Sequence, residues 1–340
     1  MTATSVRANN FDALRLLAAI LVIWGHQFAL MGRPVPLIWH NEPGALGVVI
    51  FFAISGYLVF LSWQSDPHIG RFAMRRALRI WPGLCAAVLL CIALVGLWST
   101  TLQPLEYLRH PATREYVSNL WLQTRYDLPG VFEHNPLPGS VNGPLWTIPL
   151  EVACYVSLAV LGVTGVAKWR GSAPLAFILL ALTLQWRYSP APHQPMPEWS
   201  FGLQYGMVFA LGASMATLRS LWETRRWAAT VLLGTGLAVL HQWGPQPFAG
   251  QTPLLGLAFA VVIWGTASIP LVNQAGRWGD FSYGLYIYAF PVQQSLVWYF
   301  SNQLGFDVAL GLSLTISLML AAASWHILEK PALSLKPRKP

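Results

Sequence analysis

The stretch "FDALRLLAAILVIWGH", residues 11–26, is an apolar run with an aspartate and an arginine near its start and a histidine at its end. Its hydrophobic core suits a membrane helix, and the pattern recurs outward along the chain. The 340 residues are 55% hydrophobic and only 10% charged, against roughly 25% charged in an ordinary soluble domain. A bilayer crossing takes about 20 largely apolar residues. Such runs fall near 11–31, 44–62, 78–99, 144–165, 174–188, 200–218, 227–243, 252–272, 282–300 and 306–328. The expected fold is all-α: a polytopic membrane bundle of about ten transmembrane helices forming one integral membrane domain over residues 1–340, with both termini cytoplasmic.

A sheet reading fails, because membrane β-barrels show segments of about ten residues with dyad alternation, whereas "LCAAVLLCIALVGLW" is apolar all round. Residues 16–24 imitate the core of a signal peptide, but no small-residue cleavage site follows, so the segment is expected to stay as an anchor. With both ends in the cytoplasm, fifteen Lys/Arg fall inside and five outside, and Arg15 lies within the first span. This is the positive-inside asymmetry. The net charge of +8 is then mostly topology, and nucleic-acid binding is not needed to explain it. Cys85, Cys91 and Cys154 all lie in expected spans, so they suggest packing rather than disulfides or a zinc site, and no metal is expected.

Most connections are short, but residues 100–143 form a 44-residue outer loop, a length commonly associated with function or disorder. A second outer segment, "YSPAPHQPMPEWS" (188–200), is Pro-rich and expected to be extended. No fixed-period repeat is visible, and no soluble domain is expected at either end. Trp63, Trp98, Trp199 and Trp222 fall near span ends and read as interfacial belt residues. Trp121, in the outer loop, suits either membrane contact or stacking on a sugar ring.

Within the opening helix, Arg15 and His26 are eleven residues apart, so they differ by only about 20° around the axis and about 16 Å along it. They share a face. Asp12 is within i,i+3 reach of Arg15, and Ala19 on the same stripe leaves room for something narrow. A structural account has Arg15 snorkelling to the interface and His26 making one interhelical hydrogen bond. A functional account starts from the cost of polar groups in the bilayer, which usually face a cavity or pathway, and from the ability of histidine to exchange a proton near neutral pH.

The motifs, taken in order, resemble the acyltransferase-3 family of multi-pass membrane O-acyltransferases nearly end to end. "FDALRLLAAILVIWGH" resembles the first-helix pattern of arginine, ten residues, histidine, and "GVVIFFAISGYLVFLS" the Phe-Phe-x-x-Ser-Gly signature of the second span. "RFAMRRALRIWP" resembles the basic stretch ending in proline, "GPLWTIPLEVACY" the Trp…Glu…Tyr motif, "FSYGLYIY" the Ser-Tyr-x-x-Tyr motif and "SWHILEKP" the closing Glu-Lys-Pro. The resemblance implies transfer of an acyl group, commonly acetyl from acetyl-CoA, to a hydroxyl of a carbohydrate, lipid-linked sugar, polysaccharide or natural product. It also implies an essential role for His26 with Arg15 beside it. Many members carry a further histidine after the Ser-Tyr-x-x-Tyr motif. This chain has Ala289 there, which increases the weight on His26.

Acetyl transfer from a thioester to an alcohol needs a base, stabilisation of an oxyanion and a grip on the donor. His26 is the expected base, or a transient acyl carrier; the sequence does not separate the two. Arg71, Arg75, Arg76 and Arg79, in one short cytoplasmic stretch, could meet the phosphates of CoA or act only as a positive-inside anchor, with Arg15 meeting the donor deeper. Glu151 falls about 12 Å into the fourth span, where it could orient His26, bind the sugar, or simply hydrogen-bond Tyr155 or Trp146. Asp12, Ser55, Trp146, Tyr283 and Tyr286 complete the candidate substrate-binding set, although hydroxyls in membrane helices more often bond backbone or neighbouring helices.

The expected partners are acetyl-CoA, a carbohydrate or lipid-linked sugar acceptor, the lipid bilayer of a bacterial inner membrane and separate polysaccharide-assembly proteins. Exopolysaccharide is the expected acceptor. The competing reading is a transporter in which Arg15, His26 and Glu151 line a pathway for an anionic solute or protons. Against it, no paired Gly/Pro-broken spans recur in the two halves.

Overall fold

The computed structural model describes residues 9–187, 198–244 and 248–337. The Pro-rich outer segment lies mostly outside them, at 188–197. In chain order the α-helices are α1 (Phe11–Leu30), α2 (Pro43–Ser65), α3 (Ile69–Leu90), α4 (Leu97–Ser99), α5 (Pro104–Arg109), α6 (Pro111–Tyr116), α7 (Thr147–Val163) and α8 (Ser172–Arg187). They continue with α9 (Glu198–Thr217), α10 (Arg219–Trp222), α11 (Arg226–Trp243), α12 (Phe248–Gly265), α13 (Ser282–Tyr299), α14 (Phe306–Ser324) and α15 (Lys330–Ser334). Among the described residues the only β-type pairings are isolated bridges, Ile38 with Asn41 and Thr100 with Val131.

A helix lies at each of the ten expected spans. Five segments are individually long and apolar enough to cross a membrane: Phe11–Leu30, Pro43–Ser65, Ile69–Ser99, Gly143–Val163 and Phe306–Ser334. A sixth, Trp199–Thr217 with Arg219–Trp243, is bent by 68° at its break, and Ser172–Arg187 and Gln251–Gly265 are shorter apolar helices. The third helix starts at Ile69, nine residues before the expected span, so the whole basic stretch is helical. It widens into a π-helical segment at Cys91–Gly96, where the Tyr107 hydroxyl donates to the Ile92 carbonyl at 3.0 Å.

Helix α1 begins where the Asn9 side chain accepts from the Phe11 N–H at 3.1 Å, and Asp12 in its first turn suits the helix dipole. It stops at Gly32, whose φ of +68° is left-handed. The Arg33 N–H then bonds the Phe28 carbonyl at 2.8 Å, a glycine-terminated C-cap.

The chain forms two compact units. The first comprises Met1–Arg15, Val48–Phe72 and Leu150–Trp278. In it α2 and α9 cross with backbones nearly touching: a Cβ at Gly56 would overlap the Phe209 carbonyl, and one at Gly212 the Ala53 carbonyl. Small residues at helix crossings replace the missing hydrophobic drive in lipid. Trp63 and Trp222 are not belt residues. Trp63 is buried edge-on against Phe72 and seated on Gly162, and buried Trp222 donates its indole N–H to the Met215 carbonyl at 2.9 Å. Trp98 and Trp199 are exposed, as a belt requires.

The second unit comprises Leu16–Gly47, Ala73–Pro149 and Gly279–Pro340, and helices α13 and α14 pack along each other in it. Helix α13 contains Pro291, which cannot donate to the Ile287 carbonyl one turn back. The Asn142 amide fills that gap, donating to Ile287 at 2.9 Å. The outer loop is largely ordered around two fully buried tyrosines, Tyr107 and Tyr116. Burial pushes both phenols above their ordinary range. Trp121 stays 69% exposed among the described residues.

Candidate functional site

In the second unit, His26 projects from α1 with its ring packed edge-on against Phe290 of α13, centroids 5.1 Å apart and planes at 82°. The imidazole is half-buried, and among the described residues no side chain or backbone group hydrogen-bonds it. Around it the bundle is tight. Gly25 lets the start of α2 approach, since a Cβ there would stand 3.0 Å from the Gly44 nitrogen, and Gly47 faces the Ala18 carbonyl in the same way. Ala19, on the stripe between Arg15 and His26, is fully buried.

The same unit holds three of the four candidate arginines, all on α3. Arg79 pairs with Asp280 at 2.5 Å and lies over the Tyr283 ring, 5.8 Å from its centroid. Asp280 also accepts from the Ser282 hydroxyl at 2.5 Å, and the Tyr283 hydroxyl donates to the Ile80 carbonyl at 2.8 Å. Arg75 is only 8% exposed, so the open basic face expected from the spacing is instead partly an interior cluster. A fourth cation joins it: burial, reinforced by Arg76, Arg79 and Arg75, pushes the Lys336 ammonium below its ordinary value.

Tyr286 anchors the next motif, with its hydroxyl 3.0 Å from the Pro144 carbonyl and 2.7 Å from Thr147 Oγ1. Trp146 closes the 3-10 turn Gly143–Trp146 that leads into α7. Tyr283 and Tyr286 therefore tie helices together through backbone and hydroxyl partners.

In the first unit, Asp12 and Arg15 form the expected i,i+3 ion pair at 3.1 Å, with side chains 42% and 23% exposed. Arg71 belongs to this unit. Its guanidinium grips the buried carboxylate of Asp66 with bonds of 2.6, 2.9 and 3.2 Å. Glu151 is engaged by the protein: its Oε1 accepts from the Tyr155 hydroxyl and from Ser55 Oγ, the latter at 3.1 Å, while Ser55 and Tyr155 lie 3.1 Å apart. The second-span signature thus has a physical reading. Ser55 reaches the carboxylate of α7, and Gly56 beside it admits the backbone of α9.

Residues 9–326 match the model of the acyltransferase domain that defines the acyltransferase-3 family. The chain belongs to that family. It is 33% identical to an O-acetyl transferase of Shigella phage Sf6 over 331 residues, covering 95% of this chain and 96% of the phage protein. It is 27% identical to nodulation protein 10 of Rhizobium leguminosarum bv. viciae, covering 98% of this chain and 95% of that one. A stretch covering 43% of the chain is 31% identical to the peptidoglycan O-acetyltransferase OatA of Listeria monocytogenes and spans 23% of that longer protein. No solved structure matches. Acyltransferase-3 proteins are membrane proteins that use an acyl donor, and the apolar helices of this chain agree.

Among the described residues, no group of three or more His, Cys, Asp or Glu could hold a metal ion. Sequence reasoning passed over four residues that the structure places around this acyltransferase's candidate groups. Asp280 and Lys336 belong to the Arg79 cluster. Gln27, next to His26 in the chain, and Gln293, three residues after Phe290, are fully buried. The glutamines carried a signal, since polar side chains within apolar helices are costly. Lys336 and Asp280 did not, because loop and terminal charges look alike in sequence.

Proposed function

We propose that this protein is a membrane O-acetyltransferase that moves acetyl from acetyl-CoA to a hydroxyl of a glycan, an exopolysaccharide or its lipid-linked precursor, at a bacterial inner membrane. The observation that carries the reading is His26: a half-buried imidazole packed edge-on against Phe290, with no group among the described residues hydrogen-bonded to its nitrogens. Such a ring can take a substrate proton. It removes the proton of the acceptor hydroxyl as the oxygen attacks the thioester carbonyl; the C–S bond breaks, an ester forms, and the proton passes to the departing CoA thiolate. In the variant with a transient acyl carrier, the imidazole nitrogen attacks the thioester carbonyl, the C–S bond breaks and CoA thiolate leaves; the acceptor oxygen then attacks the acetyl carbonyl, the N–C bond breaks, and the hydroxyl proton ends on the thiolate.

Arg15, Arg71, Arg75, Arg76 and Arg79 serve the donor phosphates. Glu151, with Ser55, Trp146, Tyr283, Tyr286 and Asp12, serves the acceptor and the alignment of the reacting groups. The ten helices cross the bilayer as one domain with both termini in the cytoplasm. The names of the phage and Listeria relatives support acetyl as the acyl group and a glycan as the acceptor.

The test uses the purified chain with acetyl-labelled acetyl-CoA and a bacterial polysaccharide extract. The expected result is CoA release with label on the glycan, both lost in His26→Ala. Unchanged acetyl chemistry in that variant would remove His26 from the reaction, and absence of any acetyl-CoA cleavage by the parent would remove the donor.

A further inference from the structure

Three helices of the second unit meet beside His26 through a chain of buried polar side chains. Gln293 of α13 donates through one amide nitrogen to the Ile23 carbonyl at 2.9 Å and to the Gln27 side-chain oxygen at 2.8 Å. Ser313 of α14 donates to that same Gln27 oxygen at 3.3 Å. Gln27, Gln293 and Ser313 are all fully buried. The amide orientations are determined by the network itself. A carbonyl oxygen of Gln293 facing the Ile23 carbonyl would be repulsive, so its nitrogen must point there, and Gln27 must then offer its oxygen.

The placement matters for what lies next to it. Ile23 and Gln27 flank His26 on α1, and Phe290, which receives the imidazole edge, precedes Gln293 on α13 by three residues and thus by nearly one turn. Helix α13 therefore holds the ring with one side chain and the backbone beneath it with another. The following residue faces elsewhere: Gln294 donates to the Leu137 and Ser140 carbonyls at 2.9 and 2.7 Å, fastening α13 to the outer loop. Adjacent glutamines thus fix α13 on two sides, and only Gln293 reaches α1.

We infer that Gln293 is a positioning residue for His26: by gripping Ile23 and Gln27 together it sets the rotation of α1 about its axis and keeps the imidazole aimed as Phe290 seats it. The effect is one of alignment. Without the grip, helix packing still holds α1 in the bundle, but the rotation about its axis is no longer defined, and a small misplacement of a reacting group is expensive in rate. The inference rests on the reading of His26 as the base or acyl carrier.

The experiment measures CoA release from acetyl-CoA by the purified full chain, giving kcat and KM for the parent, His26→Ala, Gln293→Met, Gln27→Met and Gln27→Glu. Met keeps the volume of Gln and removes its hydrogen bonds; Glu at position 27 keeps an acceptor oxygen. Gln293→Met is expected to lower kcat by roughly 10- to 100-fold with KM for acetyl-CoA within about twofold of the parent. Gln27→Met should fall in the same direction, and Gln27→Glu should stay within about threefold of the parent. Parental kcat in Gln293→Met beside an inactive His26→Ala overturns the inference and leaves the proposed function standing. If Gln293→Met does not fold, the position-27 pair decides, and equal impairment of Gln27→Met and Gln27→Glu overturns it. An active His26→Ala overturns the proposed function itself.

Discussion

His26 and Glu151 are the two polar groups that stand out in the apolar helices of this acyltransferase, and they are housed in opposite ways. His26 packs edge-on against Phe290, and among the described residues no group hydrogen-bonds its nitrogens. Glu151 shares one carboxylate oxygen between two hydroxyls that also touch each other. Burying a polar group without partners is costly, which is why the two placements differ in what they ask of the surrounding structure. On the proposed function, the difference separates a group available to substrate from a group that also helps hold α2 to α7. It also predicts that substitutions at His26 act on rate, whereas changes to the packing and hydrogen bonds that hold α2 around Glu151 act first on stability.

The sharpest test of that contrast is His26→Ala. Loss of a general base costs on the order of 10²- to 10⁴-fold in rate, and because no hydrogen bond among the described residues is removed and only the ring contact with Phe290 is lost, the melting temperature should fall only slightly. Acetyl-CoA cleavage and thermal unfolding measured on one preparation decide it. A large drop in Tm with modest loss of rate would make His26 a packing residue. On the other side, Gly56→Ala drives a methyl into the Phe209 carbonyl, and backbone cannot give way as a flexible side chain can. Overpacking of this kind costs about 1–3 kcal/mol, read as a lower unfolding midpoint, with kcat of the folded fraction preserved.

Glu151→Gln comes next. The amide oxygen still accepts from Tyr155 and Ser55, so stability should be retained, while loss of the carboxylate is expected to lower kcat/KM for the glycan by about tenfold, equivalent to about 1.4 kcal/mol. No change in either quantity would make the carboxylate purely a tie between helices and would strengthen the contrast with His26.

Much of this was legible in the sequence, and for identifiable reasons. Helix positions follow from apolar runs, and all ten expected runs became helices. The Asp12–Arg15 pair follows from i,i+3 spacing, and the Glu151–Tyr155 bond from spacing by one turn. What escaped is long-range. Arg71 and Arg79 read as one basic stretch, yet each took its own carboxylate, Asp66 and Asp280, and nothing local tells an arginine which acid it will meet. Trp63 and Trp222 read as belt residues because position along a helix says nothing of the face that packs inward. Gln293 reached Ile23 across 270 positions of sequence, a contact that only the fold creates.

The smallest effect belongs to Ser55, and it refines the comparison most finely. Ser55→Ala removes the bond to Glu151 and the contact with the Tyr155 hydroxyl, but Tyr155 alone still satisfies the carboxylate oxygen. Hydrogen bonds between membrane helices average about 0.6 kcal/mol, so the variant should unfold only slightly more readily than the parent, with kcat unchanged. KM for the glycan then separates two roles of the hydroxyl. If Ser55 serves only to brace Glu151, KM stays where it was. If the acceptor draws Ser55 away from Glu151 on binding, KM rises several-fold while stability barely changes, and the occupied cluster proves to open for substrate after all.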